Sequence, residues 1–345
     1  MTTRGSISYA VSRDGTRIAW MARGSGPSII FVPPWTETIE SGYWYRVVRR
    51  EFKGRIVTFD RRGFGRSDWG VEHGLEQYAD DLEAVADAAG LDQVTLYGAA
   101  AGVLDSVVLA ARTPRVARML LLEPVLRVER DDLQAQKSLY ALLDHDLETF
   151  WRAFLQFAIG WGKPADIERW VSYYVSATNL QDIRATLDVL LNKADLSPFA
   201  PLVQADCLLI HNADDSLMPP ASAAALARLL PRQRLLITSG DRWSRDEATQ
   251  REIESFLAGE WGATGSAAPR EGVERAAGAG SWDTLTPREA EILAHVAAGA
   301  TNDEIATALW LSKATVARHL ANVFAKLNVR NRVEAANWAR DHEES

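Results

Sequence analysis

Several features that would direct the chain to the cell surface or into a membrane are missing. There is one cysteine, Cys207, so no disulfide can form within the chain. Because it lies in the apolar run CLLI, we expect a small buried hydrophobe in a reducing compartment. The first fifteen residues lack the apolar segment of a signal peptide. The longest apolar tract, residues 94–111, contains Asp105 and glycines, which is unsuited to a membrane span. We therefore predict a soluble cytoplasmic protein without a membrane partner.

Positive charge is also scarce. The 345 residues include 38 Lys and Arg against 46 Asp and Glu, a net charge of −8. This balance argues against a generally basic surface that binds nucleic acid without sequence preference. The length suggests about two domains of ~150 residues each. We predict neither a cofactor nor a metal ion.

A change in composition divides the chain. Residues 262–280, GATGSAAPREGVERAAGAG, are rich in Gly and Ala and have no apolar periodicity. This composition predicts a flexible linker, with a short helix over residues 271–277 as the alternative. The predicted organisation is a first domain over residues 1–261 and a second over residues 281–345.

The first domain alternates apolar strands with amphipathic helices, which predicts a doubly wound α/β fold. A hairpin is expected around Asp14-Gly15, and helices are expected over residues 75–89 and 103–111. The predicted strands are residues 8–12, 16–21, 28–32, 55–59, 93–97, 118–122, 207–210 and 234–237.

Strands are missing between residues 125 and 202, where the sequence predicts helices rich in aromatic residues. Aromatic stripes at helical spacing usually belong to a core. Because this segment is inserted between two strands of the predicted sheet, we interpret it as a helical cap over a cleft.

The stretch YGAAAG, residues 97–102, is predicted to join a strand to a helix through a tight turn. The same arrangement forms the nucleophile elbow, G-x-S-x-G, whose central residue attacks the substrate. Here Gly98 and Gly102 bound the turn, but the central residue is Ala100, whose methyl group cannot attack.

Two further segments accompany this turn, DRRGFGRSD at residues 60–68 and HNADDSLMPP at residues 211–220. The three segments occur in the order typical of the α/β-hydrolase fold. The sequence resembles that family over about residues 5–260. The resemblance implies the fold. It also implies that residues 60–68 form the turn after the fourth strand and that Asp215 stands at the position of the catalytic acid.

The same resemblance implies that the catalytic base is missing. The family places its histidine after the last strand, where this chain has TSGDRW and therefore Asp241. None of the six histidines lies between residues 212 and 261. The family usually has His-Gly after the third strand, and this chain has Pro33-Pro34, which supplies no N–H donor. We therefore predict a pseudo-hydrolase, since loss of nucleophile or base typically costs ~10⁶ in turnover.

Asp215 and Asp241 are expected to face the same pocket. They could act as an acid catalytic pair or accept hydrogen bonds from a ligand, although bracing of their own loops is the favoured interpretation. We predict that the emptied site binds a small, largely apolar molecule. Its predicted ligand-binding residues are Trp35, Thr36, Ala100, Ala101, Asp215, Asp241 and Trp243.

The second domain carries signals for short capped helices. Capping boxes are predicted at Thr286–Glu289 and at Thr301–Glu304. Ser312 is predicted to cap a third helix, KATVARHLANVFAKL. A fourth helix is predicted over residues 331–339. Two helices joined by a tight turn, the second amphipathic, predict a helix-turn-helix.

Residues 285–339 closely resemble the LuxR-type, or GerE-type, DNA-binding domain through LTPREAEIL, NDEIATAL, the third helix and VRNRVEA. The resemblance implies that the third helix enters the major groove, with Arg318 reading guanine and Asn322 reading adenine. The buried stripe of this helix is predicted as Val316, Leu320, Val323 and Leu327. The predicted DNA-binding residues are Lys313, Ala314, Thr315, Ala317, Arg318, His319, Asn322, Lys326 and Arg330.

Residues 281–345 contain seven Lys or Arg and nine Asp or Glu. Non-specific affinity should therefore be weak, and we expect operator DNA to be bound by a homodimer. The predicted function is a transcription regulator that responds to a small molecule. The alternatives are an active hydrolase with an unconventional site, a ligand-free interaction module, and a helical module that has lost DNA binding.

Overall fold

A computed structural model describes most of the chain. The described residues are 6–128, 138–159, 164–213, 215, 220–238, 246–260, 285–309, 313–327, 329, 335–336 and 338–339. The chain divides into two units, Met1–Pro269 and Arg270–Ser345. The predicted linker at 262–280 lies outside the described residues.

A sheet of eight strands, in the order β1-β2-β4-β3-β5-β6-β7-β8, forms the frame of the first unit. Strands β3 to β8 run parallel, whereas β2 is antiparallel to both β1 and β4. The doubly wound sheet predicted from the sequence is confirmed. The strands are β1 Ser8–Val11, β2 Arg17–Arg23, β3 Ser28–Val32, β4 Arg55–Phe59, β5 Val94–Ala99, β6 Val116–Leu122, β7 Asp206–Asn212 and β8 Gln233–Thr238.

Helices cover both faces of this sheet because its central strands are apolar on both sides. In β3, Ile30 and Val32 pack into the larger core, while Ile29 and Phe31 pack into the smaller one. Successive side chains of a strand point to opposite faces, so one short apolar run supplies both cores. The helices over the sheet are α1 Tyr43–Glu51, α2 Leu75–Ala88, α3 Gly102–Arg112, α7 Pro220–Leu229 and α8 Glu247–Ala258.

The predicted helical insertion between β6 and β7 is observed as α4 Leu147–Ile159, α5 Pro164–Ala177 and α6 Leu180–Asp188. We call these three helices the cap. The fully buried Trp151 stacks on Tyr174 with a ring-centroid separation of 4.5 Å. Its indole N–H donates to the Thr178 hydroxyl at 3.0 Å, which satisfies the one polar atom of the buried ring.

A buried polar cluster fastens the cap to the loop before α2. The Asp182 carboxylate of α6 hydrogen-bonds His73 Nε2 at 3.0 Å and accepts from Gly70 N at 2.9 Å. Burial lowers the pKa of the His73 imidazole, and the neighbouring Asp182 offsets this effect only in part. The imidazole is therefore a neutral hydrogen-bonding link at neutral pH.

The described part of the second unit contains α9 Pro287–Ala297, α10 Asn302–Ala308 and α11 Lys313–Leu327. Both predicted capping boxes are present, Thr286 with Glu289 and Thr301 with Glu304. The predicted fourth helix lies largely outside the described residues. In the described ranges of either unit, no helix combines the length and apolar character needed to cross a membrane.

Replacement of Gly102 by Ala should destabilise the first unit more than an ordinary Gly→Ala change. A Cβ at Gly102 would clash with the Val32 carbonyl oxygen, so α3 would have to move away from β3. We expect a loss of about 3 kcal/mol, measured as a lower urea midpoint. Gly90→Ala is the matched control, since a Cβ there meets nothing within 4 Å and adds only left-handed strain of ~1–2 kcal/mol. Equal losses in the two variants would contradict the close approach at Gly102.

Candidate functional site

The turn between β5 and α3 has the strained backbone of a nucleophile elbow. Ala100 has φ 47°, a left-handed conformation that costs an L-residue ~1–2 kcal/mol. Hydrogen bonds hold it in place, since Ala100 N donates to Leu122 O at 3.0 Å and Val103 N donates to Ala100 O at 3.0 Å. The strained turn is therefore present with a methyl group at its apex.

The glycines on either side of Ala100 allow the strand and the helix to approach closely. A Cβ at Gly98 would lie 2.7 Å from Ser106 Oγ and 2.9 Å from Gly102 O. A Cβ at Gly102 would meet the backbone of Val32, as noted above. Both glycines of YGAAAG are thus required by packing, independently of any chemistry at Ala100.

The residues predicted to line the cleft differ in their accessibility. Ala100 and Thr36 are half-buried, whereas Trp35 and Ala101 are buried. The Trp35 ring lies 5.2 Å from the Phe154 ring and 5.7 Å from the Trp151 ring, both on α4. It also contacts Phe64 and Phe150. Trp35 is therefore a packing residue between the sheet and the cap.

Asp215 lies in a buried cluster with Glu123 and His211. Each of the three side chains offers one potential metal-ligand atom, and these three atoms lie within 4.8 Å of one another. Glu123 Oε2 is 3.3 Å from His211 Nδ1. Asp241 and Trp243 lie outside the described residues, so the expected convergence of Asp215 with Asp241 stays a prediction.

Glu123 and His211 were not assigned a role from the sequence. The strand register brings them together, because Leu122 pairs with both Ala99 and Ile210. Glu123 follows β6 directly, and His211 belongs to the carboxyl-terminal end of β7. The positions of these two residues in the sequence could have indicated their contact, since polar residues at the ends of adjacent parallel strands meet at one edge of a sheet.

Helix α11 buries the predicted stripe. Val316, Leu320, Val323 and Leu327 form its inner side, and all four are at most 4% exposed. On the remaining surface, His319 and Asn322 are half-buried and Lys326 is exposed. The side chains of Lys313, Ala314, Thr315, Ala317 and Arg318, and all of Arg330, lie outside the described residues. Their contacts with DNA stay predictions.

Lys326 has a partner within the unit. Its ammonium lies 2.7 Å from Glu289 Oε2, the carboxylate that completes the capping box of α9. Burial alone would raise the pKa of Glu289, but hydrogen bonds from Lys326 and Thr286 outweigh it and lower the pKa. Lys326 therefore fastens α11 to α9, a role that the sequence did not predict.

Two family models match the chain. Residues 27–248 match the model described as "alpha/beta hydrolase fold". Residues 283–339 match the model described as "Bacterial regulatory proteins, luxR family". Both resemblances found in the sequence are confirmed.

Among curated proteins, the chain is similar to the "CsgBAC operon transcriptional regulatory protein" of Escherichia coli, with 50% identity over 58 residues, 17% of this chain and 27% of that protein. It is 55% identical over 58 residues to the "Transcriptional regulatory protein ComA" of Bacillus subtilis, again 17% of this chain and 27% of that protein. The chain thus spans only about a quarter of the length of these relatives.

Among solved structures, a hydrolase from Pseudomonas aeruginosa PA01 superposes with a TM-score of 0.61 and 19% sequence identity. The match covers 74% of this chain and 99% of that one. At this identity the likeness concerns the fold alone.

Replacement of Ala100 by Gly tests the strained turn. Glycine adopts positive φ without steric strain but loses more entropy on folding, by about 0.5–1 kcal/mol. The relief of ~1–2 kcal/mol of strain equals or exceeds this cost, so we expect the free energy of unfolding to stay the same or rise by up to about 1.5 kcal/mol. Ala110→Gly, within α3, is the control and should cost about 1 kcal/mol or more. Similar losses in both variants would show that Ala100 is not in the left-handed region.

Proposed function

The chain belongs to the α/β-hydrolase fold family and carries a luxR-family helix-turn-helix, and from this premise we propose that it is a ligand-responsive transcriptional regulator. In this proposal the hydrolase-like unit is a receptor for a small, largely apolar molecule and has no catalytic activity. The helical unit binds operator DNA as a homodimer. The observation that carries the receptor role is Ala100, a methyl group at the apex of an otherwise complete elbow.

Catalysis at this site would need an attacking oxygen, which Ala100 cannot supply. Loss of the nucleophile alone typically removes about 10⁶ in turnover, or ~8 kcal/mol of transition-state stabilisation. The sequence also has no histidine at the expected base position, where Asp241 stands. Asp215, at the position of the catalytic acid, would then have no histidine at the expected position to orient.

Binding does not require these groups. A ligand that buries ~200 Å² of apolar surface gains roughly 5 kcal/mol before the costs of association. Ala100 and Thr36 are both half-buried, so both residues keep some access to solvent. Trp35, next to Thr36, packs against aromatic, apolar side chains of the cap.

A second candidate function is a ligand-free interaction module, and the packing of Trp35 favours it. Four aromatic rings surround this residue and occupy space that an open cleft would offer to a ligand. A thermal-shift screen with a metabolite library separates the two candidates. Stabilisation of the first unit by a small molecule supports the receptor.

Regulation requires that the ligand distinguish two states of the protein. A molecule that bound both states equally would leave DNA affinity unchanged. We propose that occupancy of the first unit changes the equilibrium between two arrangements of the homodimer, only one of which fits two half-sites of an operator.

The receptor proposal predicts no ester hydrolysis. The full-length protein and its Ala100→Ser variant should both hydrolyse p-nitrophenyl acetate and p-nitrophenyl butyrate at the rate of the buffer. A serine at the elbow restores the nucleophile but not a base at the expected position. Release of p-nitrophenolate is followed by absorbance, with protein-free buffer as the reference.

Turnover by the unaltered protein that is lost in Asp215→Asn would revive the active-hydrolase alternative. Turnover gained in Ala100→Ser calls for the double variant Ala100→Ser, His211→Gln. If the second substitution removes the gained activity, His211 serves as the base, and the chain is closer to an enzyme than we propose.

The DNA-binding proposal predicts different effects from two substitutions on α11. Arg318→Ala should remove sequence preference at one base pair, a loss of about 1–3 kcal/mol in discrimination. Lys313→Ala should weaken binding to all sequences. It should also reduce the slope of log affinity against log salt concentration by about one, the contribution of one phosphate contact. Selection of binding sites from a random DNA library supplies the operator, and titrations at several salt concentrations measure both effects.

An unchanged operator preference in Arg318→Ala would mean that another residue reads the base. Failure of the unaltered protein to enrich any sequence from the library would contradict DNA recognition itself. Circular dichroism of each variant verifies that the helical unit is still folded.

A further inference from the structure

The cluster of Glu123, His211 and Asp215 has the composition of a metal site. All three side chains are buried, with His211 fully inaccessible and the two carboxylate residues at most 8% exposed. Imidazole nitrogen and carboxylate oxygen are both ligands of first-row divalent metals. These residues belong neither to the elbow nor to the helix-turn-helix.

The geometry of the cluster suits a small cation. Zn–N and Zn–O bonds of about 2.0–2.2 Å place neighbouring ligand atoms of a tetrahedron about 3.4 Å apart. The separation of Glu123 Oε2 and His211 Nδ1 is 3.3 Å. An Asp215 carboxylate oxygen lies within 4.8 Å of the donor atoms of Glu123 and His211.

The backbone fixes two of these donors independently of any metal. Glu123 has φ 50°, the second left-handed non-glycine residue of the described chain, and its N–H donates to Ile210 O at 2.9 Å. This bond ties the residue that bears the carboxylate to the strand that bears His211. Asp215 N donates to Asn212 O at 3.1 Å, which folds the third donor back toward the same strand.

The donor set also matches what a divalent transition metal prefers. Carboxylate oxygens and an imidazole nitrogen together form the ligand sets of many zinc sites. The one thiol of the chain cannot compete, because buried Cys207 lies near the start of β7, at the opposite end from His211.

We propose that Glu123, His211 and Asp215 bind a divalent transition-metal ion of the Zn²⁺ class. Three protein ligands leave a fourth position, which water would take in a tetrahedral site. No metal site can be predicted from the sequence here, because Glu123 and His211 come together only through the strand register. The proposal is independent of the receptor function, because Zn²⁺ binding needs neither an organic ligand nor DNA.

Isothermal titration of the full-length, chelator-treated protein with ZnCl₂ tests the proposal. We expect a site with a dissociation constant of micromolar or below. Glu123→Gln, His211→Gln and Asp215→Asn should each weaken it at least tenfold, since even outer-shell changes cost 10–100-fold. His145→Gln is the matched control, because His145 is exposed and remote from the cluster in sequence. Its affinity should equal that of the unaltered protein.

A second measurement guards against variants that do not fold. Zn²⁺ should raise the melting temperature of the unaltered protein and of His145→Gln, but not that of Glu123→Gln, whose folding is verified by circular dichroism. Cobalt should give the visible absorption of a four-coordinate site in the unaltered protein. Absence of Zn²⁺ binding up to 1 mM, or equal binding by all variants, would overturn the proposal. DNA titrations of the same samples report separately on the regulator function.

Discussion

The close approach of α3 to the sheet at Gly102 is the constraint on which the first unit depends. Only a residue without a side chain lets the helix begin against the Val32 carbonyl, and the turn just before it holds Ala100 in the left-handed conformation. The same turn hydrogen-bonds to Leu122, the residue before Glu123, and β6 pairs in turn with the strand that bears His211. The elbow and the cluster therefore both lie at the carboxyl edge of the sheet.

Much of this architecture can be predicted from sequence because its signals are local. The apolar runs of β3 and β4 and the helix α11 have the predicted bounds, since periodicity and caps determine them. Helix α1 was missed. It begins after Gly42 without a side-chain cap, so its start carries no recognisable signal. The burial of its residues Trp44 and Val48 can be recognised only from their packing against β3.

The site was harder to predict because it depends on register and packing. Trp35 follows a strand and resembles a pocket wall, yet aromatic rings almost 120 residues later in sequence bury it. Glu123 and His211 are distant in sequence and meet only because β6 and β7 pair. Lys326, predicted as a DNA-binding residue, pairs with Glu289 through the packing of α11 on α9. Each case needs a partner that no local pattern identifies.

The central claim is that occupancy of the hydrolase-like unit, without bond breaking, controls binding to DNA. The most direct measurement is mass spectrometry under non-denaturing conditions on protein isolated from its producing cells, followed by DNA titration before and after removal of the bound molecule. The account predicts a bound small molecule that is released chemically unchanged, and an operator affinity that differs between occupied and emptied protein. Release of a cleaved product, or the same affinity in both states, would contradict it.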